Sequence, residues 1–111
     1  MKVKQDYSGT VLDALNEAIV INVADCDALA FQVTGTFTAT LSVEASIDGT
    51  NYVNLAGTNV GSNSSTSSLT AAGIWRAGYA TVYGFEFVRI RVSAYTSGSA
   101  TVVWQTARSS K

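Results

Sequence analysis

An all-β antiparallel β-sandwich, jelly-roll-like and built from about seven or eight strands, is the fold class this 111-residue sequence predicts. Three observations predict it. First, residues 85–106 read FEFVRIRVSAYTSGSATVVWQT, in which Val88, Ile90, Val92 and Ala94 alternate with Arg89, Arg91, Ser93 and Tyr95. After a Ser/Gly turn, Ala100, Val102 and Trp104 alternate with Thr101, Val103 and Gln105, the period-two signature of strands with one face in a core. Second, turn signals recur roughly every ten residues, the spacing of a sandwich. Third, hydrophobic residues make up 47% and charged residues only 14%. Much of the remainder is Ser, Thr, Gly and Asn, which suits pleated faces and turns and disfavours long surface helices.

The N-terminal segment, residues 1–17, admits two readings. Thr10 and Asp13 with Leu12, Leu15 and Ala18 fit the start of a short helix, and the same stretch fits an extended arm. The arm is favoured because the following Ile19-Val20-Ile21-Asn22-Val23 is β-branched and alternating. Asp25-Cys26-Asp27 turns the chain, and Leu29, Phe31 and Val33 alternate in the next strand. Gly35 breaks that run. Leu41, Val43, Ala45 and Ile47 then face one way, and Ser42, Glu44 and Ser46 the other. Asp48-Gly49-Thr50-Asn51 is a turn, with Tyr52, Val53 and Leu55 returning as a short strand to close a hairpin.

Residues 57–68, GTNVGSNSSTSS, have almost nothing to bury and read as a Ser-rich loop. Leu69–Ala72 and Ile74–Ala80 read as short strands around Gly73, before Tyr83-Gly84 leads into the final hairpin. The domain organisation is therefore an arm over 1–17 and one sandwich domain over 18–111, enough chain to bury roughly 65% of its extended surface around one core. The sequence contains no proline, which in β-proteins often guards sheet edges.

Composition narrows the function classes. The net charge is −1, with seven basic and eight acidic residues scattered along the chain, so no basic stripe follows a phosphate backbone and no nucleic-acid partner is expected. So weakly charged a surface offers little repulsion between copies, as in an ordinary soluble domain or in an assembly subunit. No apolar run approaches the ~20 residues of a membrane helix, and no membrane partner is expected. Met1-Lys2-Val3-Lys4 opens like a signal peptide, but Gln5, Asp6, Tyr7 and Ser8 follow where an apolar stretch is required, so export by the usual route is not expected. Asn63-Ser64-Ser65 matches a glycosylation sequon, which without export carries no meaning. Cys26 is the single cysteine and excludes an internal disulfide.

Candidate chemistry is sparse. There is no histidine, which removes the Ser-His-Asp triad, the His-assisted cysteine and His metal ligands together. Cys26 stands between carboxylates that disfavour its thiolate. Asp25, Asp27 and Asp48 match no calcium-loop spacing, and Glu44 and Glu86 sit at polar strand positions with nothing to part their pKa values as a glycosidase pair needs. Gly78 to Gly84 lacks the strand–turn–helix context of a phosphate loop. No enzyme activity, cofactor or metal is expected. Arg89 and Arg91 share one strand face, fitting either cross-strand pairing or contact with a neighbouring subunit. Tyr52, Trp75, Tyr79, Tyr83 and Tyr95 fit either core and rim packing or an interface or sugar-stacking role, whereas Trp104 shares the core face of Val102.

Three blocks taken together resemble a known group. They are residues 35–52 (GTFxxTLxxExSxDGTxY), 70–75 (TAxGxW) and 88–102 (VRxRxxAYTSGxAxV). Their order is similar to small β-sandwich proteins from the structural gene modules of tailed bacteriophages and prophages, over about residues 10–105. The resemblance implies a virion component with no catalytic residues: a capsid cement or decoration subunit, or a tail, baseplate or fibre module that binds host glycans. The cement reading is preferred. It implies the major capsid protein or other virion proteins as partners, a homo-oligomer (dimer or trimer), and location in the virion after synthesis in the host bacterial cytoplasm. Under this reading the contacts are expected on the arm, including Lys2, Lys4, Tyr7, Leu12 and Leu15, and on Trp75, Arg76, Tyr79 and Tyr83, with Arg89 and Arg91 as further candidates.

Overall fold

The computed structural model describes residues 2–24, 26, 28–78, 82 and 84–108, with the side chains of residues 2–10 and of Arg108 outside the description. The described residues form eleven strands: β1 (Lys2–Leu12), β2 (Ala18–Asn22), β3 (Ala28–Thr34), β4 (Phe37–Ser46), β5 (Val53–Asn54), β6 (Gly57–Asn59), β7 (Ser64–Thr66), β8 (Ser68–Leu69), β9 (Gly73–Ala77), β10 (Phe87–Gly98) and β11 (Ala100–Arg108). They pair antiparallel into a six-stranded sheet, β1-β11-β3-β9-β6-β7, and a five-stranded sheet, β2-β10-β4-β5, with β8 also on β4. The expected β-sandwich is the observed fold. The strand count exceeds expectation because residues 2–12 pair as a strand, β1, and because β6 and β7 form within residues 57–68.

The core lies between the sheets, and alternation builds it. Leu41, Val43 and Ala45 of β4, Val88, Ile90 and Val92 of β10, and Ala100 and Val102 of β11 are buried as their spacing predicts. Each fully buried Val, Leu or Ile contributes about 1.5–3 kcal/mol relative to exposure. The β2 strand alternates in the same way, burying Ile19 and Ile21 and exposing Ala18, Val20 and Asn22.

Several expectations change. Within the extended arm, residues 2–12 form an edge strand laid along β11, from Lys2 opposite Arg108 to Leu12 opposite Ala100. Residues 57–68 are not one open loop: β6 and β7 close a hairpin, and Gly57 and Thr58 begin a strand that lies between β9 and β7 in the six-stranded sheet. Its Ser and Thr hydroxyls supply hydrogen bonds where apolar burial is lacking, as Thr66 does with both the N–H and the carbonyl of Ser68. Ile47, expected in the core, is 72% exposed because β4 ends at Ser46 and the turn carries the side chain out. Ala94 is exposed because the β10–β4 register shifts between Val92 and Ala94, breaking the period. Trp104 is half-buried, packing against the rim of the core.

Two turns show local chemistry directly. Asp48 Oδ1 accepts from the N–H groups of Thr50 and Asn51 and from Ser46 Oγ, an arrangement that holds the 48–51 turn and keeps the Asp48 carboxyl well below the usual carboxylate range. Gly98 has φ 89° and turns β10 into β11; a Cβ there would run into the Thr36 carbonyl and the Phe37 Cα.

Candidate functional site

The most organised group of polar side chains lies on the outer face of the five-stranded sheet. Arg89 and Arg91 point outward from β10, because the intervening Ile90 points into the core. The register sets Glu44 of β4 directly opposite Arg89. Arg89 donates to Glu44 Oε1 through Nε at 2.8 Å and Nη2 at 2.6 Å, and Arg91 donates to Oε2 through Nη2 at 3.0 Å. The Arg89 guanidinium also lies 3.8 Å from the centroid of the Tyr52 ring. Arg91 reaches in the other direction, from Nη1 to Asn16 Oδ1 at 3.1 Å.

These contacts bury Glu44 to 7% exposure although it occupies an outward position. The hydrogen bond from Arg91, followed by that from Arg89, holds its carboxyl below its ordinary value, and the same bond raises the pKa of Arg91. A carboxylate saturated by two guanidiniums is a poor general acid or base. The cluster instead ties β10 to β4 and to the 13–17 crossover, where Asn16 adopts a positive φ of 71° and its N–H bonds the Val92 carbonyl. Two arginines sharing one carboxylate leave this cluster with a net positive charge.

The outer face of the six-stranded sheet has a different character. Gln32 of β3 lies between Ile74 of β9 and Val103 of β11, and Ala30 lies between Arg76 and Gln105. Arg76 is exposed, and Ile74 is 41% exposed. Beside Arg76 a cavity of about 490 Å³ is lined chiefly by small residues, among them Ala28, Ala30, Gly57 and Gly78. Among the described residues no group of three or more His, Cys, Asp or Glu could hold a metal ion.

The expected contact residues are distributed unevenly over this frame. Arg76 and Leu15 are exposed, Leu15 at 56% in the crossover before β2. Trp75 and Leu12 are corrections: both belong to the core. Trp75 is fully buried, stacked on Phe31 at 5.2 Å between centroids, with its indole N–H donated to the Thr66 carbonyl at 2.9 Å. Gly57 leaves room for the ring, since any side chain there would overlap it. Leu12 closes the core where β1 meets Ala100. Arg89 and Arg91 are engaged with Glu44 inside the chain. Lys2, Lys4 and Tyr7 are on β1, but their side chains lie outside the described residues, as do Tyr79 and Tyr83 entirely. Sequence reasoning missed Glu44 as the partner of both arginines. The signal was an acid at an outward strand position, but the register that brings it to Arg89 is set by chain 45 residues away.

The fold and this face define a small two-sheet β-sandwich whose polar cluster braces a sheet. No family model and no curated protein sequence matches the chain. Among solved structures it is similar to the SPBc2 prophage-derived protein YomS, with a TM-score of 0.68 and 18% identity over 95% of this chain and 98% of that one. It is also similar to the PBSX exported protein XepA, with a TM-score of 0.71 and 15% identity over 92% of this chain and 39% of that one. The chain thus spans about two-fifths of the length of XepA. At these identities the likeness establishes a shared fold.

Proposed function

We propose that this chain is a non-enzymatic structural subunit of a bacteriophage or prophage particle. The carrying observation is that its fold is shared, end to end, with a prophage-derived protein, YomS. The likeness to a PBSX protein and the phage-like sequence blocks support the same reading. More finely, we infer a cement or decoration subunit on the outside of the capsid shell, with the major capsid protein as partner and the virion as its location. The mechanism is mechanical. Each subunit bridges neighbouring capsomers, and repetition over the lattice gives avidity without strong single contacts.

The outer face of the six-stranded sheet suits this contact best. Its described side chains include Gln32, Ile74, Arg76 and Val103, an arginine among apolar and uncharged neighbours, and charge-depleted patches with Arg are characteristic of interface centres. The tail-module alternative, with sugars stacking on exposed aromatics, loses its expected anchor: Trp75 is buried, and Tyr52 is covered by Arg89.

The test is co-sedimentation of the purified protein with expanded shells that lack it, followed by cryo-EM. Regular outer density at fixed lattice sites is the expected result, and shells that stay bare would overturn the cement reading. Deleting residues 2–12 is a poor probe of the contact, because it also strips β11 of its neighbour and removes Leu12 from the core. Ile74→Asp and Arg76→Glu, both at exposed positions, are the cleaner probes, and both are expected to abolish shell binding.

A further inference from the structure

We propose that the β2 edge pairs antiparallel with the β2 edge of a second copy of this chain, about a two-fold axis through Val20, joining the two five-stranded sheets into one. The inference stands on the geometry of this edge and holds whether or not the protein belongs to a virion.

Sheet edges invite pairing unless something blocks it. The other edges here are blocked. The β1 strand carries Lys2, Lys4 and Asp6 and shifts register between Asp6 and Thr10. The β5 and β7 strands are two and three residues long. The β2 strand, Ala18-Ile19-Val20-Ile21-Asn22, has no charge, no proline and no register shift, and only β10 pairs with it among the described residues. Glu17, next to Ala18, accepts from the Asp13 N–H, and Arg89, opposite Val20, is engaged by Glu44. Val20 is left 53% exposed.

The ladder shows which backbone groups are free. Val92 N–H donates to the Glu17 carbonyl, and Val23 N–H donates to the Glu86 carbonyl, so residues 17 and 23 direct backbone groups toward β10. Antiparallel ladders alternate, so Ile19 and Ile21 do the same. Ala18, Val20 and Asn22 therefore aim both N–H and C=O outward, and among the described residues no backbone group meets them there.

That outward set is complementary to itself. Around a two-fold axis at Val20, Val20 faces Val20 and exchanges both bonds with it, while Ala18 of each copy faces Asn22 of the other and does the same. Every outward N–H of the edge then finds a carbonyl. The intervening residues fall into step, with Ile19 opposite Ile21 on the inner face, so the two cores meet through matched side chains. No like charges are brought together within the strand. The arginine clusters of the two copies lie three strand spacings apart, about 14 Å, which exceeds the screening length of about 8 Å at physiological salt. A second copy satisfies the edge completely with chain already present, and a closed two-fold contact leaves the β2 edge with no room for further addition.

The test is the mass of the full chain by sedimentation equilibrium over a wide concentration range, for the wild type, Val20→Lys and Val20→Pro. The wild type is expected to rise from 11.6 kDa toward twice that mass as concentration increases. Both variants are expected to remain monomeric with unchanged circular dichroism, since the Val20 side chain is exposed and its N–H takes no part in the β2–β10 ladder. Amide hydrogen exchange on the wild type gives a second readout that needs no variant. Protection at Ala18, Val20 and Asn22 should grow at least about tenfold from low to high concentration, while Ile19 and Ile21 are protected throughout. A wild type that stays monomeric to its solubility limit would overturn the proposal. So would variants that self-associate as the wild type does, or exchange at the three outward amides that ignores concentration.

Discussion

Glu44 and Arg89 stand opposite each other on β4 and β10, and their side chains meet at 2.6 Å on the outer face of the five-stranded sheet. Arg91, two residues along the strand, takes the other carboxylate oxygen at 3.0 Å. One acid thus bridges two basic residues of the neighbouring strand, and the bridge is shielded on one side by Tyr52. Breaking a buried ion pair from one side costs about 3–5 kcal/mol. Here both arginines keep more than a quarter of their side-chain surface in water and can rehydrate, which lowers the cost. Glu44→Ala is therefore expected to destabilise by about 1–2 kcal/mol, and Glu44→Gln, which keeps acceptor capacity on one atom, by about 1 kcal/mol. Urea denaturation of the two variants beside the wild type checks both values.

The same carboxylate makes stability depend on acid. Its folded pKa is lowered by the hydrogen bonds from Arg91 and Arg89, while its ordinary value is 4.5. On acidification the unfolded chain therefore takes up the proton first. The contribution of Glu44 is complete above about pH 5 and is lost as pH falls through 4.5 and on through the folded value. Asp48 is shifted in the same direction and adds its own acid dependence. Comparing the wild type with Glu44→Gln isolates the Glu44 part. The stability gap between them at neutral pH is expected to narrow steadily below about pH 4.5, and a gap that stays constant to about pH 3 would contradict the assignment.

How much of this was legible in the sequence depends on the range of the interaction. Leu41, Val43, Val88, Ile90, Val92 and Val102 are buried as alternation requires, because pleat geometry is local and periodic. The 48–51 turn was legible for the same reason: Asp48 acts on backbone only two and three residues away. Ile47 and Ala94 escaped because a strand end and a register shift break the period without a residue-level signal. The 57–68 hairpin escaped because hydroxyl bonds such as that of Thr66 to Ser68 leave no periodic signal, and because its packing against Trp75 depends on a partner the segment does not contain. The bridge at Glu44 was out of reach since inter-strand register decides which outward residue an arginine meets.

Trp75 shows what burial does to a residue that the sequence leaves open between core packing and an interface. Its ring is stacked on Phe31 with planes 23° apart, and its N–H is satisfied by the Thr66 carbonyl. Trp75→Ala is expected to cost about 3–5 kcal/mol, through the lost contacts and the cavity left behind. Trp75→Phe keeps much of the stacking but strands the Thr66 carbonyl, at a smaller cost of about 1–3 kcal/mol. Tryptophan fluorescence of the native protein separates the two tryptophans: Trp75→Phe leaves only the half-buried Trp104 and should shift the emission maximum to the red.

Gly98 tests the turn on which the longest hairpin depends. Its φ of 89° is strained for any other residue, and a Cβ would overlap both the Thr36 carbonyl and the Phe37 Cα, neither of which can rotate away as a side chain would. The same loop is pinned by Ser99 N–H to the Thr36 carbonyl at 3.1 Å and by Tyr95 Oη to the Gly98 carbonyl at 2.9 Å. Gly98→Ala must therefore strain the turn or push Thr36–Phe37 out of register with β10, at a cost of at least about 1–2 kcal/mol. Thermal unfolding checks the loss. Tyr95→Phe, which removes only an exposed hydroxyl bond, should cost no more than about 0.5 kcal/mol. If Gly98→Ala proved as mild as Tyr95→Phe, the backbone contact at Thr36 would not be what holds this end of the sandwich together.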